Sequence, residues 1–329
     1  MGQKPIIAIA IGDPAGIGPE ISLKAALDPT VRAIARPVLV GDATIVARHA
    51  KACGIVADLL VLDELNGADW PDNRLPLLAS ASNEAEGITF GSTSAAAGRV
   101  SLAATRTAIH AALDSKVDAV VAAPQNQTSI ARAGIEFDGY PSFVARETGL
   151  APHDVYLMLC FDDVKIVHCT LHVSISQAIA LITRERVTHV ITVADHTLRR
   201  LGIANPKIHV SGLNPHAGEQ GLFGREEIEI IRPAIEAAAA GGIDVSGPFG
   251  ADTMFHKTGV DAFVVMLHDQ GHITAKLLAR RATAGLAIGS PILFSSVAHA
   301  SGHDIVGKGA ADPTAMIAAI TRLASATPR

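Results

Sequence analysis

Three histidines stand just past three strand-like runs. Phe263-Val264-Val265-Met266-Leu267 is apolar and mostly β-branched or bulky, as a strand buried on both faces must be, and it stops at His268-Asp269-Gln270-Gly271-His272. Val164 to Thr170 leads in the same way to His172, and Ile208 to Leu213 leads into Asn214-Pro215-His216-Ala217-Gly218-Glu219. Open parallel α/β sheets bind ligands at the carboxyl ends of their strands. His172, His216 and His268 can therefore share one divalent metal, because imidazole suits such ions and a catalytic site keeps three protein ligands and one open position. The long spacings carry no metal signature of their own. With 14 histidines in the chain, the alternative is that these three are surface or hydrogen-bonded core residues.

A metal open on one side can bind a secondary alcohol and a neighbouring carboxylate, lower the alcohol pKa, and polarise the new ketone so that carbon dioxide leaves. Such a reaction also needs a proton-transfer group and a nicotinamide to take hydride. Lys276 is a candidate for proton transfer or for anchoring a carboxylate, and Asp252 and Asp269 can orient the histidines or tune the metal. The plainer alternative for all three is a solvated charge or a helix cap. The same histidines, activating water instead, would make a zinc hydrolase.

The elements that must position these groups alternate between strand and helix. Ile6 to Ile11 reads as a strand, and Gly12-Asp13-Pro14-Ala15-Gly16-Ile17-Gly18-Pro19-Glu20 turns it into a helix near Pro19. Glycines there permit close backbone approach, and the helix amides favour an anionic or polar ligand, although the spacing is not G-x-G-x-x-G. Strands are also expected at Pro37 to Val40, Asp118 to Ala123, Tyr156 to Cys160 and Ile292 to Val297. Helices are expected at 43–53, 91–113, 176–182, 186–201, 224–240 with a kink at Pro233, and 313–324. Residues 61–90 read as irregular connections and short strands, and Asp244 to Asp252 as a loop. Pro124-Gln125-Asn126-Gln127 and Gly139-Tyr140-Pro141-Ser142 read as loops facing a cleft. Period-2 alternation puts His168, Thr170 and His172 on one strand face.

Composition narrows the class. At 329 residues the chain suffices for about two domains, and 49% hydrophobic against 18% charged residues describes a globular protein. A formal charge of −5 without basic blocks, and only 4% aromatics, give no footprint for nucleic acid. Cys53, Cys160 and Cys169 are odd in number and include no C-x-x-C pair, which fits bystander thiols in a reducing compartment. No run approaches the roughly 18 apolar residues of a membrane span, and the start lacks a signal-peptide pattern, so a cytoplasmic protein without a membrane partner is expected.

The Gly12 to Glu20 motif, Gly212-Leu213-Asn214-Pro215-His216-Ala217-Gly218-Glu219 and His268-Asp269-Gln270-Gly271 resemble the 4-hydroxythreonine-4-phosphate dehydrogenase family, over essentially the whole chain. The resemblance implies an α/β, isocitrate/isopropylmalate dehydrogenase-like fold, with two α/β/α domains and an interdomain cleft. It implies a first, discontinuous, cofactor-side domain of residues 1–125 plus 278–329, and a second, metal- and dimer-side domain of residues 126–277. It further implies a homodimer with shared active sites, one divalent metal (zinc foremost, with magnesium, manganese, cobalt or iron as alternatives) on His172, His216 and His268, and active-site positions for Asp252, Asp269 and Lys276. The tail from His299 to Gly309 is similar to the adenosine-binding loop of isopropylmalate dehydrogenases. By that likeness His299, Ser301 and Asp304 join Asp13, Gly16 and Gly18 on the cofactor side. A carboxylate at Asp304 would repel a 2′-phosphate, which selects NAD over NADP.

Departures from the family pattern redirect the substrate. Tyr140-Pro141 stand where the biosynthetic enzymes have His-Thr, Gly285 and Phe294 where they have Asn and Arg, and Gln127 in place of a lysine. Losing that arginine removes a bidentate phosphate ligand that phenylalanine cannot replace. The combination is similar to the terephthalate dihydrodiol dehydrogenase branch, which shares Gly139-Tyr140-Pro141-Ser142 and His268 to Ile273. That likeness implies oxidation and decarboxylation of terephthalate 1,2-cis-dihydrodiol to protocatechuate, with Tyr140, Ser142 and Phe294 at the substrate. The alternative within the family is 4-phosphohydroxythreonine, or a phosphorylated threonate or erythronate, as substrate.

Overall fold

Short apolar runs, each followed by a capped helical stretch, build repeating β-α units in a computed structural model that describes residues 4–65, 71, 73–80, 84–279 and 283–326. In chain order β1 (Ile6–Ala10) leads to α1 (Gly18–Leu27) and α2 (Pro29–Ile34), then β2 (Arg36–Gly41), α3 (Ala43–Ala52), β3 (Leu59–Leu62) and β4 (Leu75–Ala79). The long α4 (Ala95–Leu113) precedes β5 (Ala119–Ala122), α5 (Gln127–Arg132) and α6 (Tyr140–Glu147). Polar residues fix the helix starts. Asp42 accepts from Thr44 N and Ile45 N at α3, Ser94 accepts from Ala97 N at α4, and Asn126 accepts from Ser129 N at α5.

The chain continues through β6 (Tyr156–Phe161), β7 (Val164–His168), α7 (Ile175–Leu181), α8 (Arg184–Arg200) and β8 (Lys207–Ser211). A π-helical turn at Glu227–Ile231 passes directly into α9 (Arg232–Ala240), with Arg232 N donating to Glu227 O, and Pro233, which has no N–H to donate, stands at that junction. Then come β9 (Asp244–Phe249), β10 (Ala262–Val265), α10 (His268–Leu278), β11 (Ala284–Ile288), β12 (Phe294–Val297) and α11 (Thr314–Ala324).

Two compact units result, one from Met1–Pro152 with Ser290–Ser325, the other built on His153–Gly289. In this division residues 126–152 belong to the first unit and 278–289 to the second. The first unit orders its strands β3-β4-β2-β1-β5-β12, every pairing parallel. Its central strands are wholly buried, with Ile7, Ile9, Val38, Val40, Val120 and Val121 at no exposure. Each such side chain contributes roughly 1.5–3 kcal/mol of burial. The second unit orders β11-β6-β7-β10-β8-β9, with β11, β6 and β7 antiparallel in succession and β7, β10, β8 and β9 mutually parallel. A cluster of Leu159, Phe161, Ile166, Val265 and Ala275, with Phe255 against it, seats α10 on β6, β7 and β10.

Three local expectations change. Gly139-Tyr140-Pro141-Ser142 is the start of α6 rather than a loop: Gly139, at φ 143°, turns the chain in, and Pro141 occupies the first turn. Residues 244–249 are the strand β9, whose Gly247 and Pro248 disguise it in sequence. β7 ends at His168, so alternation does not carry on to His172. Of the stretch 61–90, residues 66–70, 72 and 81–83 lie outside the described residues.

Candidate functional site

The four parallel strands of the second unit each release one candidate residue past the carboxyl end: His172 after β7, His268 after β10, His216 after β8 and Asp252 after β9. The pairing of β7 with β10 continues beyond the strands, with Cys169 N donating to Val265 O at 2.8 Å and the Thr170 hydroxyl donating to Met266 O at 2.7 Å. That brings His172 beside His268, with ring centroids 5.5 Å apart. A cavity of about 440 Å³ is lined there by Thr170, His172, Ser174, Gln177, His268 and Asp269 among others.

His268 opens α10, and Asp269 Oδ1 lies 2.7 Å from its Nδ1. With Nδ1–H donated to that carboxylate, Nε2 keeps its lone pair, the state a metal requires. Behind it, the His272 ring stacks on His268 at 3.8 Å and 8°. His168 is 1% exposed, its Nδ1 3.2 Å from Leu157 O and its ring 4.7 Å from His272. Burial pushes His168 down to about 3 and His272 to about 4, with the neighbouring imidazoles adding to both. Gln270, which the sequence reading passed over, ties the site together. Its Oε1 accepts from Met266 N at 2.9 Å and Leu267 N at 3.0 Å, while its Nε2 donates to Gly212 O at 3.1 Å, after β8. Its position inside the quoted His-Asp-Gln-Gly motif was the available signal.

His216 lies in a strained loop. His216, Ala217, Gly218, Glu219 and Gln220 all have positive φ, between 41° and 78°. Glu227 makes that possible. Its carboxylate, 1% exposed, accepts from Leu213 N and Asn214 N at 2.7 Å each and from Asn214 Nδ2 at 2.9 Å. A Cβ on Gly218 would stand 2.5 Å from Glu227 Oε2, which is why glycine is required there. The His216 side chain is 64% exposed, its Nδ1 3.5 Å from Glu219 and its ring packed edgewise on Phe223 at 5.9 Å. Asp252 is exposed in the turn after β9, and Lys276 is exposed in the last turn of α10. Neither lines the cavity. Among the described residues, no three His, Cys, Asp or Glu side chains gather into a metal-holding group within one chain. The donor set at His172 and His268, two imidazoles of which one is oriented by a carboxylate, fits two corners of a divalent-metal site.

In the first unit, Asp13 is 1% exposed with both oxygens engaged, Oδ1 accepting from Ala15 N at 3.0 Å and Oδ2 lying 2.7 Å from His303 Nε2. Gly16 and Gly18 are glycines for packing: a Cβ on Gly16 would meet Ser301 O at 2.4 Å, and one on Gly18 would meet Ile11 O at 2.2 Å. Within the chain, then, Asp13 bonds a backbone amide and the His303 side chain, and the two glycines admit close backbone approach. Ser301 is buried with a hydroxyl that has no protein partner, whereas His299 and Asp304 are exposed. Asp304, at the surface, carries the carboxylate chemistry that the hydroxyl groups of an adenosine ribose call for.

Of the expected substrate residues, Phe294 is 1% exposed within β12, with its ring 5.1 Å from Tyr140. It shapes the surroundings only through Tyr140. The Tyr140 hydroxyl donates to Ala123 O at 2.6 Å, and burial pushes its pKa far up, so it remains a neutral phenol. Ser142 is buried and bonded to Asp138 and to Gly139 O, a role internal to the start of α6. Phe294 opens β12 and Ser142 lies in the first turn of α6, both buried, while Tyr140 beside them is half-buried.

Among the described residues, no helix is long and apolar enough to cross a membrane. The family model of the pyridoxal phosphate biosynthetic protein PdxA matches residues 33–323. The chain is 38% identical, over 96% of both chains, to a 1,2-dihydroxy-3,5-cyclohexadiene-1,4-dicarboxylate dehydrogenase of Comamonas. A terephthalate 1,2-cis-dihydrodiol dehydrogenase structure from Burkholderia xenovorans is 41% identical, with a TM-score of 0.74 over 99% of this chain and 100% of that one. A 4-hydroxythreonine-4-phosphate dehydrogenase structure from Klebsiella pneumoniae is 34% identical, with a TM-score of 0.86 over 98% and 99%. The hydrolase alternative gives way to these dehydrogenase relatives. The chain belongs to the PdxA family and is an oxidoreductase of that dehydrogenase family.

Proposed function

We propose that this protein is an NAD-dependent, metal-assisted dehydrogenase that oxidises and decarboxylates a cis-dihydrodiol carboxylate of the terephthalate type, yielding a catechol acid. The observation that carries the chemistry is the cavity where His172 and His268 face each other, with Asp269 on His268 Nδ1. The substrate assignment rests on the 41% identity to the Burkholderia enzyme and, by the family resemblance, on Tyr140 and Phe294 standing where the biosynthetic enzymes carry His and Arg.

A bound divalent metal would supply Lewis-acid polarisation of the substrate's oxygens, and NAD would supply the hydride acceptor. His172 and His268 hold the metal, and Asp269 fixes the His268 tautomer. His216, carried on an exposed loop, completes the ligand set of a second copy in a homodimer. Lys276 would move the hydroxyl proton and Asp252 would orient the ligands, each, like His216, offered from outside the cavity that His172 and His268 line. Asp304 holds the ribose hydroxyls of NAD. A second reading, oxidation of 4-phosphohydroxythreonine or a phosphorylated sugar acid, is favoured by the higher TM-score to the Klebsiella enzyme.

The test is NADH formation by purified protein with a divalent metal, offering the terephthalate cis-dihydrodiol and 4-phosphohydroxythreonine in parallel. Turnover of the diol with carbon dioxide release supports the proposal; turnover of the phosphate ester alone refutes the substrate assignment.

A further inference from the structure

The Gly-rich turn and α1 hold the loop between β12 and α11 through more buried bonds than a chain reversal needs. Ile17 N donates to Ser301 O at 2.7 Å, and Asp13 pairs with His303 at 2.7 Å. One helical turn further on, Glu20 has no exposure and accepts from Ala311 N at 2.9 Å. Lys24 commits all three of its ammonium hydrogens: to Glu20 Oε1 at 2.7 Å, Gly309 O at 2.9 Å and Ala311 O at 2.8 Å. An i,i+4 Glu–Lys pair on a helix surface contributes little. This one is different, because it is buried at the carboxylate and its other bonds go to backbone nearly the whole chain away.

We propose that Glu20 and Lys24 are positioning residues for the cofactor. They clasp the downstream stem of the 301–311 loop, as Asp13 clasps its upstream part, and so hold Ser301 and Asp304 in the shape that receives the dinucleotide. The inference rests on the reading of Ser301 and Asp304 as adenosine-side residues, and it gives Asp13 of the turn and Glu20 and Lys24 of α1 one shared task. Neither residue reaches the cofactor; both act by fixing backbone carbonyls and an amide. A tetrahedral ammonium suits three acceptors arranged around it, which a planar guanidinium does not. Removing the ammonium leaves the Gly309 and Ala311 carbonyls without their donor.

The experiment compares the full-length protein with Lys24→Met, Glu20→Gln and Lys24→Arg. It reads amide exchange over 300–311 without cofactor, the NAD dissociation constant by calorimetry, and KM and kcat in the diol assay. In Lys24→Met, exchange over 300–311 is expected to rise about tenfold while exchange in β1 and β5 holds, because local opening is freed without global unfolding. The NAD dissociation constant and KM should rise about tenfold, with kcat at saturating NAD within about twofold, since preorganisation and not chemistry is lost. Glu20→Gln, which keeps an acceptor for Ala311 N, and Lys24→Arg should fall between.

Unchanged exchange over 300–311 overturns the clasp. Faster exchange with unaltered NAD binding overturns the positioning role if Asp304→Ala does weaken NAD. A general rise in exchange, with kcat lost in proportion, also overturns it, because the pair would then serve only overall stability. If Asp304→Ala itself leaves NAD binding unchanged, the cofactor reading of the loop is what fails, and the exchange arm alone decides whether the clasp holds it.

Discussion

Gly271→Ala should destabilise the second unit even though alanine is the better helix former. In a helix interior the substitution alone would gain about 1 kcal/mol. Here the added Cβ would lie 2.3 Å from His168 Nε2, 2.9 Å from its Cε1 and 2.9 Å from Ile166 Cγ2. The imidazole cannot retreat easily, being buried, tied through Nδ1 to Leu157 O and backed by His272 at 4.7 Å. Overpacking of this kind costs roughly 1–3 kcal/mol, and a ring pinned on several sides places it near the upper end. The net is a loss of about 2 kcal/mol, or a melting midpoint lower by several degrees. The decisive assay is a double-mutant cycle by thermal unfolding, with Gly271→Ala in the wild-type and His168→Ala backgrounds. Without the ring most of the clash vanishes, so the coupling should be at least about 1 kcal/mol. Equal cost in both backgrounds, or a Gly271→Ala protein as stable as wild type, would refute the reasoning that His168 dictates glycine in this motif.

Other consequences concern the metal, the strained loop and pH. His268→Ala should lower metal affinity by more than about 100-fold with the fold retained, read by metal content after dialysis and by circular dichroism; full activity after metal depletion sinks the ligand assignment. Glu227→Ala frees the amides of Leu213 and Asn214 and should lower metal affinity about 10–100-fold through His216, while metal content equal to wild type argues against Glu227 as the keeper of that loop. Burial holds the His49 pKa below its ordinary 6.5, its Nε2 donating to Pro14 O at 2.9 Å. The unfolded chain then binds more protons than the native one below pH 6.5, so this contribution is complete above that pH and is lost as the pH falls through it. His49→Gln should therefore shrink the difference in urea midpoint between about pH 7.5 and 5.5, and an undiminished difference would show that His49 does not carry it.

Much of the scaffold was legible because its causes are local. Runs such as Ile6 to Ala10 and Ala262 to Val265 have no polar face, so they had to be central parallel strands, and the residues after them had to stand at a sheet's carboxyl edge. Asp42 and Ser94 hold the starts of two expected helices by the bonds they make, whereas the helix that Asn126 caps lay hidden in a stretch that read as a loop. The pairing of His172 with His268 follows from the neighbouring of β7 and β10, which two histidines past two apolar runs suggest without proving. Less visible were roles that depend on what lies opposite. Asp13, Gly16 and Gly18 show their residue types in the sequence, but not that Ala15, His303, Ser301 and Ile11 are what they touch within the chain. Phe294 and Ser142 look exposed by position until a strand start and a helix start bury them.

The His216 loop shows most clearly why sequence could not finish the site. Nothing in Asn-Pro-His-Ala-Gly-Glu-Gln announces five consecutive residues of positive φ, since only one of them is glycine. At about 1 kcal/mol for each of the four others, the run costs about 4 kcal/mol. The three bonds to the buried Glu227 carboxylate, at about 1.5 kcal/mol each, offset that. The strain is therefore sustained by a residue on the next helical segment, which read in sequence only as an acid near a helix start. A loop stabilised in this way holds its shape while projecting His216 outward, exposed, and apart from the cavity that His172 and His268 line. On the proposed reading, that rigid outward-facing loop is what would offer His216 to a second copy.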